Sequence, residues 1–200
     1  MERFLIFVLT CLFLLNTGCF SSSTHEYNYY ETSKLSIHPG SYVVSGKEKI
    51  KLYQGKIKVG RKFKENHLGI NVNLNNKVSV INVLPSIDTP ACEAQTHLLS
   101  ESMLLAKDVH RVVISRDLPM AQTKFVKAEG LSNLSFYSDY KYASFGKWSG
   151  LLMKGEELLT RAVIVVDKNA IVRHMQIVRD VQKLPNMKKA FKVANKLVSR

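Results

Sequence analysis

VSVINVLPSIDTPAC, residues 78–92, opens as an apolar run rich in β-branched side chains and breaks at Pro85. A buried strand halted by the proline, a sharp loop and a helix starting near Thr89 is the arrangement these residues predict. Thr89 suits the N-cap and Pro90 the first helical position, where a missing N–H costs nothing. Cys92 then falls in the first turn, where unpaired N–H groups and the positive end of the helix dipole favour an anion. Thiolate is the reactive form of cysteine. An ordinary free thiol, with pKa about 8.5, is only about 3% ionised at pH 7, and bringing that pKa near 6 takes about 3.4 kcal/mol. A helix end supplies at most about 2 kcal/mol. A cation brought close by the fold must supply much of the rest.

Working outward, residues 161–167 (RAVIVVD) form a second strongly apolar run, and the KNA turn returns the chain into a further strand at 171–178. Residues 94–105 carry an approximate helical stripe, 110–115 read as a strand, 118–127 as a helix closed near Gly130, and 134–137 as a short strand. A short helix is expected at 143–149, with Trp148 in the core or an interface. The segment 186–200 places Met187, Phe191, Ala194 and Leu197 on one side and lysines on the other, an amphipathic helix that packs on a sheet. Upstream, Ile50, Leu52, Ile57 and Val59 flank YQGK, whose glycine predicts a hairpin turn, and residues 68–74 read as a weak strand. Strands alternating with helices, then a hairpin and a last helix, predict a thioredoxin-like α/β sandwich.

Pro85, Thr89 and Cys92 fit the pattern P-x-x-x-T-x-x-C, and with four further blocks in order the chain resembles the thiol peroxidase branch of the peroxiredoxins, the atypical two-cysteine type. Those blocks are SRDLPMAQTKF (115–125), AEGLSN (128–133), SDYKYASFG (138–146) and LLTRAVIVVD (158–167), and the resemblance spans residues 47–198. It implies the peroxiredoxin fold, a central mixed sheet flanked by helices with an N-terminal β-hairpin. It also implies that the Cys92 thiolate attacks the O–O bond of a hydroperoxide and becomes a sulfenic acid. Thr89 would hydrogen-bond the thiolate and the peroxide, besides or instead of capping the helix. Arg161 opens an otherwise apolar strand, an expensive place for an unpaired charge. It matches the family arginine beside the thiolate, the plain alternative being a strand-end side chain reaching solvent. Pro85, Thr89 and Arg161 are thus the expected substrate contacts, and Cys92, Thr89 and Arg161 the catalytic set. Ser115 and Gln122 are expected to be structural support nearby.

The chain departs from the family at the resolving cysteine, where alignment puts Val126. Valine forms no disulfide, so the expected enzyme is a one-cysteine peroxidase served by an external thiol or a thioredoxin-like reductant. The alternative is a non-enzymatic envelope lipoprotein on a degenerate peroxiredoxin scaffold. Family members are often dimers, which implies a homodimer, although no interface is legible in the sequence. No cofactor is expected. The histidines at 25, 38, 67, 97, 110 and 174 are scattered, and His97 lies off the helical face of Cys92, so neither a metal site nor a Cys–His hydrolase is supported.

The beginning of the chain points to export. Glu2 and Arg3 precede an apolar stretch at 4–15 and then Asn16-Thr17-Gly18-Cys19. That is the length of a secretory core and short for a membrane span. The Thr-Gly-Cys ending resembles a bacterial lipobox, with Asn16 where leucine is usual and Leu15 one place further out. Residues 1–18 are therefore expected to be a signal peptide, Cys19 a lipidated cysteine anchoring the protein in the cell envelope, 19–46 a flexible tether, and 47–200 the peroxiredoxin domain, the alternatives for the first segment being ordinary cleaved export and an uncleaved anchor. Processing would remove Cys11 and leave Cys19 and Cys92, so no disulfide framework is available. A Cys19–Cys92 disulfide is the competing arrangement and requires unlipidated protein. The net charge of +13 reads as a solvated basic surface or as an affinity for anionic surfaces such as phospholipid headgroups. No basic-aromatic motif accompanies it, so nucleic acid is not an expected partner.

Overall fold

The run at 78–84 becomes the middle strand of a five-stranded sheet in the computed structural model, which describes residues 30–199. In chain order, β1 (Tyr42–Ser45) and β2 (Glu48–Lys51) form an antiparallel hairpin, and β3 (Asn66–His67) and β4 (Ile70–Asn71) a small one. Then follow β5 (Ser79–Val83), α1 (Pro90–Glu101), β6 (His110–Ser115), α2 (Pro119–Glu129), β7 (Ser135–Ser138), α3 (Ser144–Ser149), β8 (Ala162–Val166), β9 (Val172–Ile177) and α4 (Met187–Val198). The main sheet runs β7-β6-β5-β8-β9. Its β7, β6 and β5 are parallel to one another, while β8 and β9 are antiparallel to their neighbours. This is the thioredoxin-like mixed sheet with flanking helices and an N-terminal hairpin.

Both faces of the sheet are covered, which is why β5 and β8 read as unbroken apolar runs rather than alternating ones. The pleat then decides which residue faces which layer. Ile81, Val83, Val112, Ile114, Ala162, Ile164 and Val166 pack toward the hairpin, with Phe63, Phe145 and Leu152. Val80, Val113, Val163 and Val165 pack toward α1 and α4, with Leu99, Met187 and Phe191. Each such Val, Leu, Ile, Met or Phe side chain taken out of water contributes about 1.5–3 kcal/mol. Arg161 and Arg111 carry the same odd-numbered parity as Val163, Val165 and Val113, so both strands aim their arginines at the α1 side. That parity positions the site.

Two expectations are corrected. The hairpin turn is not at YQGK but nine residues earlier, where Ser45 pairs with Glu48 around Gly46, whose φ of 61° suits a tight two-residue turn. Gly55 serves close packing instead: a Cβ there would lie 2.0 Å from the Ser149 carbonyl oxygen. The flexible tether is also overturned for residues 30–46. Val43 is fully buried, and backbone bonds tie Ser33 N–H to the Leu184 carbonyl (2.8 Å), Leu184 N–H to Glu31 (2.9 Å) and Ile37 N–H to Ile177 (3.0 Å). The Gln176 amide donates to the Ser33 carbonyl (2.9 Å). The expected leader, Cys11 and lipidated Cys19 lie outside the described residues. Among the described residues no helix is long and apolar enough to cross a membrane.

Candidate active site

Thr89 has extended backbone and precedes Pro90 at the start of α1, which puts the Cys92 N–H 2.9 Å from the Thr89 carbonyl oxygen and fixes Cys92 in the first turn. The loop ahead of the helix is pinned by Asp117, in the connection between β6 and α2. Its carboxylate accepts from the Ser86 hydroxyl (2.7 Å) and the Ile87 N–H (2.9 Å). From the other side, Arg161 enters just before β8 and is 2% exposed, so its charge is neutralised inside the protein or not at all. Its Nε donates to the Val181 carbonyl (2.7 Å), Nη1 to the Ala91 carbonyl (3.1 Å) and to Gln95 Oε1 (2.9 Å), and Nη2 to Cys92 Sγ (3.3 Å). Among the described residues no carboxylate hydrogen-bonds it, and of its partners there the sulfur is the one able to carry a full negative charge.

Gln95 explains why the guanidinium is held in that plane. It lies one turn past Cys92, fully buried, and its amide nitrogen donates to the Ala162 carbonyl (3.1 Å) while its oxygen takes Arg161. Its own carbonyl accepts from the Asn82 side chain of β5 (2.9 Å). Helix α1, β5 and β8 are thus cross-linked beneath the sulfur. Neither Gln95 nor Asp117 was singled out by the sequence. The signal available was the polar Asn82 inside an apolar strand, which needs a buried partner.

Pro85, Thr89, Pro90, Ala91 and Arg161 lie along a cleft of about 630 Å³ whose other wall includes Ile50, Met153 and Leu158. Cys92 is fully buried and does not itself line the cleft; its chain neighbour Ala91 and its hydrogen-bond partner Arg161 do. The expected Thr89 contact to the thiol is corrected. Its hydroxyl donates to the Ser86 carbonyl (3.3 Å) and neither caps the helix nor bonds the sulfur, because Pro85 and Pro90 hold the loop so that this side chain turns back on it. Ser115 and Gln122 join one another (2.8 Å) and fasten α2 to the sheet at the Tyr137 carbonyl (3.1 Å). Val126 is partly exposed on α2. Trp148 packs edge-on to Phe63 and tilted against Phe145 and His67 in an aromatic cluster.

His97 is buried on α1 and hydrogen-bonds Glu101 (2.6 Å) and Glu129 (3.3 Å). With Glu93 and Glu129 it brings three metal-capable donors within 4.8 Å of one another.

Comparison with known proteins places this geometry. The redoxin family model matches residues 63–191. The thiol peroxidase of Bacillus subtilis is 38% identical over 122 residues, covering 61% of this chain and 73% of that protein. That of Streptococcus pneumoniae is 37% identical over 121 residues, 60% of this chain and 74% of that one. Among solved structures, a peroxiredoxin-like protein from Aquifex aeolicus superposes with a TM-score of 0.71 at 28% identity, over 80% of this chain and 99% of that one. A thiol peroxidase from Chromobacterium violaceum gives 0.64 at 18% identity, over 80% and 95%, a likeness of fold.

Proposed function

Because the chain belongs to the redoxin family, in its thiol peroxidase branch, we propose that Cys92 is its peroxidatic cysteine, with Arg161 as the catalytic cation. The protein is a peroxiredoxin-type oxidoreductase with thiol-dependent peroxidase activity. The observation that carries the residue assignment is the 3.3 Å approach of Arg161 Nη2 to a sulfur set in the first turn of a helix.

The Cys92 thiolate attacks one oxygen of R–O–O–H. The S–O bond forms as the O–O bond breaks, the sulfur is oxidised by two electrons, and RO⁻ leaves to take a proton and become water or alcohol. Arg161 is a charge-assisted donor to the sulfur before attack, and it lines the cleft from which the peroxide arrives. Pro85 and Thr89 line the same cleft and form its substrate contacts. Cys92 is the one free cysteine among the described residues, and valine holds position 126, so the sulfenic acid is resolved by an external thiol. The first reductant thiol displaces water to form a mixed disulfide, and a second releases Cys92 and carries away the disulfide.

Residues 1–18 act as a leader and Cys19 as the lipid anchor, on the strength of the charged start, the apolar core and the Thr-Gly-Cys ending. Ten residues, 20–29, separate Cys19 from Tyr30, so eleven steps of chain span at most about 40 Å when extended. The anchored domain would therefore work close to the bilayer surface.

One stoichiometric experiment tests the chemistry. Purified protein mixed with an equivalent of hydrogen peroxide loses its Cys92 thiol rapidly and is labelled by a sulfenate trap, and Cys92→Ser removes labelling and turnover together. Labelling that survives Cys92→Ser, or a thiol indifferent to peroxide, overturns the assignment and leaves a scaffold protein. Mass spectrometry of the processed N-terminus tests the anchor: a diacylglyceryl adduct on Cys19 is expected, and an intact residue 1 or a cut elsewhere refutes it.

A further inference from the structure

The arm formed by residues 30–37 lies upstream of the redoxin match at residue 63, yet it reaches the active-site cleft. Tyr30 and Glu31 line that cleft beside Lys183, and Glu31 is paired with Lys183. The backbone bonds of Glu31 and Ser33 to Leu184 hold the arm there along the connection between β9 and α4. It is a built wall, with both ends of each backbone pairing satisfied.

The charges on this cleft run against the charge of the molecule. Glu31, Glu156 and Asp180 line it together with Lys183 and Arg161, a net charge of −1 (two positive, three negative), whereas the whole chain carries +13. Lys183 holds the Glu31 carboxyl below the usual carboxylate range. At the floor, the Arg161 guanidinium faces the Cys92 sulfur, and the two compensate one another once the thiol ionises. An incoming group therefore meets negative charge first, over an apolar wall of Ile50, Met153 and Leu158.

We infer that the arm, with Glu156 and Asp180, makes the cleft entrance select uncharged hydroperoxides over carboxylate-bearing ones of the same size. This rests on the peroxidase reading of Cys92. Net charge alone predicts the reverse order, because a +13 surface draws anions in at long range. The two expectations differ in sign.

The test compares cumene hydroperoxide with its ring-carboxylate analogue as oxidants of Cys92 in the full chain, following thiol loss at low ionic strength. The neutral peroxide should react about tenfold faster, and the ratio should shrink to within about twofold at 1 M salt, where the screening length is about 3 Å. Glu156→Gln with Asp180→Asn should lower the ratio, and Glu31→Gln should lower it further. Equal rates, a faster anionic peroxide, or a ratio untouched by salt or by these variants overturns the inference. A ratio that responds to Glu156 and Asp180 but not to Glu31 refutes the arm's part. Hydrogen peroxide run alongside separates the levels: if it too leaves Cys92 untouched, the peroxidase reading fails; if it oxidises Cys92 while the pair reacts alike, only the charge selection fails.

Discussion

Two arginines are buried against the two ends of α1, and they spend their guanidinium groups differently. Arg111, in β6, donates to the carbonyls of Leu99 (3.1 Å), Val109 (3.3 Å) and Leu105 (3.3 Å), closing the C-terminal end of the helix and the loop after it. Arg161, at the N-terminal end, satisfies the Ala91 and Val181 carbonyls but turns one nitrogen to Cys92 Sγ. A cation surrounded only by carbonyls is a fastener, because every donor faces an acceptor that never changes charge. One that faces a thiol meets an acceptor whose charge does change. The same side chain, on the same face of the same sheet, is thus structural at one end of a helix and placed for chemistry at the other.

The comparison is broken most directly at Arg161. Arg161→Gln should slow oxidation of Cys92 by hydrogen peroxide about a hundredfold or more, read by stopped-flow thiol loss, as removal of a preorganised charged donor does elsewhere. A variant that melts earlier yet reacts at the original rate would make both arginines fasteners. Arg111→Met should do the opposite: it strands three carbonyls that a charged donor had satisfied, at about 2–4 kcal/mol. A fall in Tm of about 5–10 °C is expected by calorimetry, with the peroxide rate per folded molecule unchanged within about twofold. Loss of rate at an unchanged Tm would contradict the contrast. Gln95→Leu, which removes the brace on Arg161 but not the arginine, should lower the peroxide rate about tenfold, between the two extremes. An effect as large as that of Arg161→Gln would mean the brace is the whole device.

The smallest expected effect concerns pH and lies away from both arginines. Burial pushes the imidazoles of His67, His110 and His174 below their usual range, desolvation being the leading cause in each. Their neutral forms are favoured in the native state, so below the ordinary histidine value of about 6.5 the unfolded chain binds more protons than the folded one. Stability should rise with pH through that window and be lost as pH falls toward the folded values. Thermal melts between pH 5 and 7 check the slope, which His174→Gln should flatten. A melting temperature that climbs on acidification through the same range would contradict the assignment.

Much of this was legible from residue order. β5, β6 and β8 announce themselves as β-branched runs, and α4 as a stripe of Met187, Phe191 and Ala194 against lysines, because burial on one or both faces leaves a periodic mark. The arm at 30–37 left none. It is held by its backbone, and backbone hydrogen bonds impose no pattern on side chains. The glycines were ambiguous for a related reason: Gly46 turns a chain and Gly55 admits a neighbour, and the letter is the same. Thr89 occupies the N-cap, yet its hydroxyl goes to Ser86, a choice made by the loop rather than by the residue.

By itself the sequence determined that a cysteine stands in the first turn of a helix after a proline-stopped strand, that an arginine opens a second buried strand, and that position 126 holds no sulfur. Those are properties of local order and composition. Only the tertiary structure decided that the arginine reaches the cysteine, that a second arginine does not, and that acidic groups from residues 31, 156 and 180 share one cleft. Direct electrostatic contact falls steeply with distance, and distance between residues 69 positions apart is set by packing and strand parity, which no local stretch of chain contains.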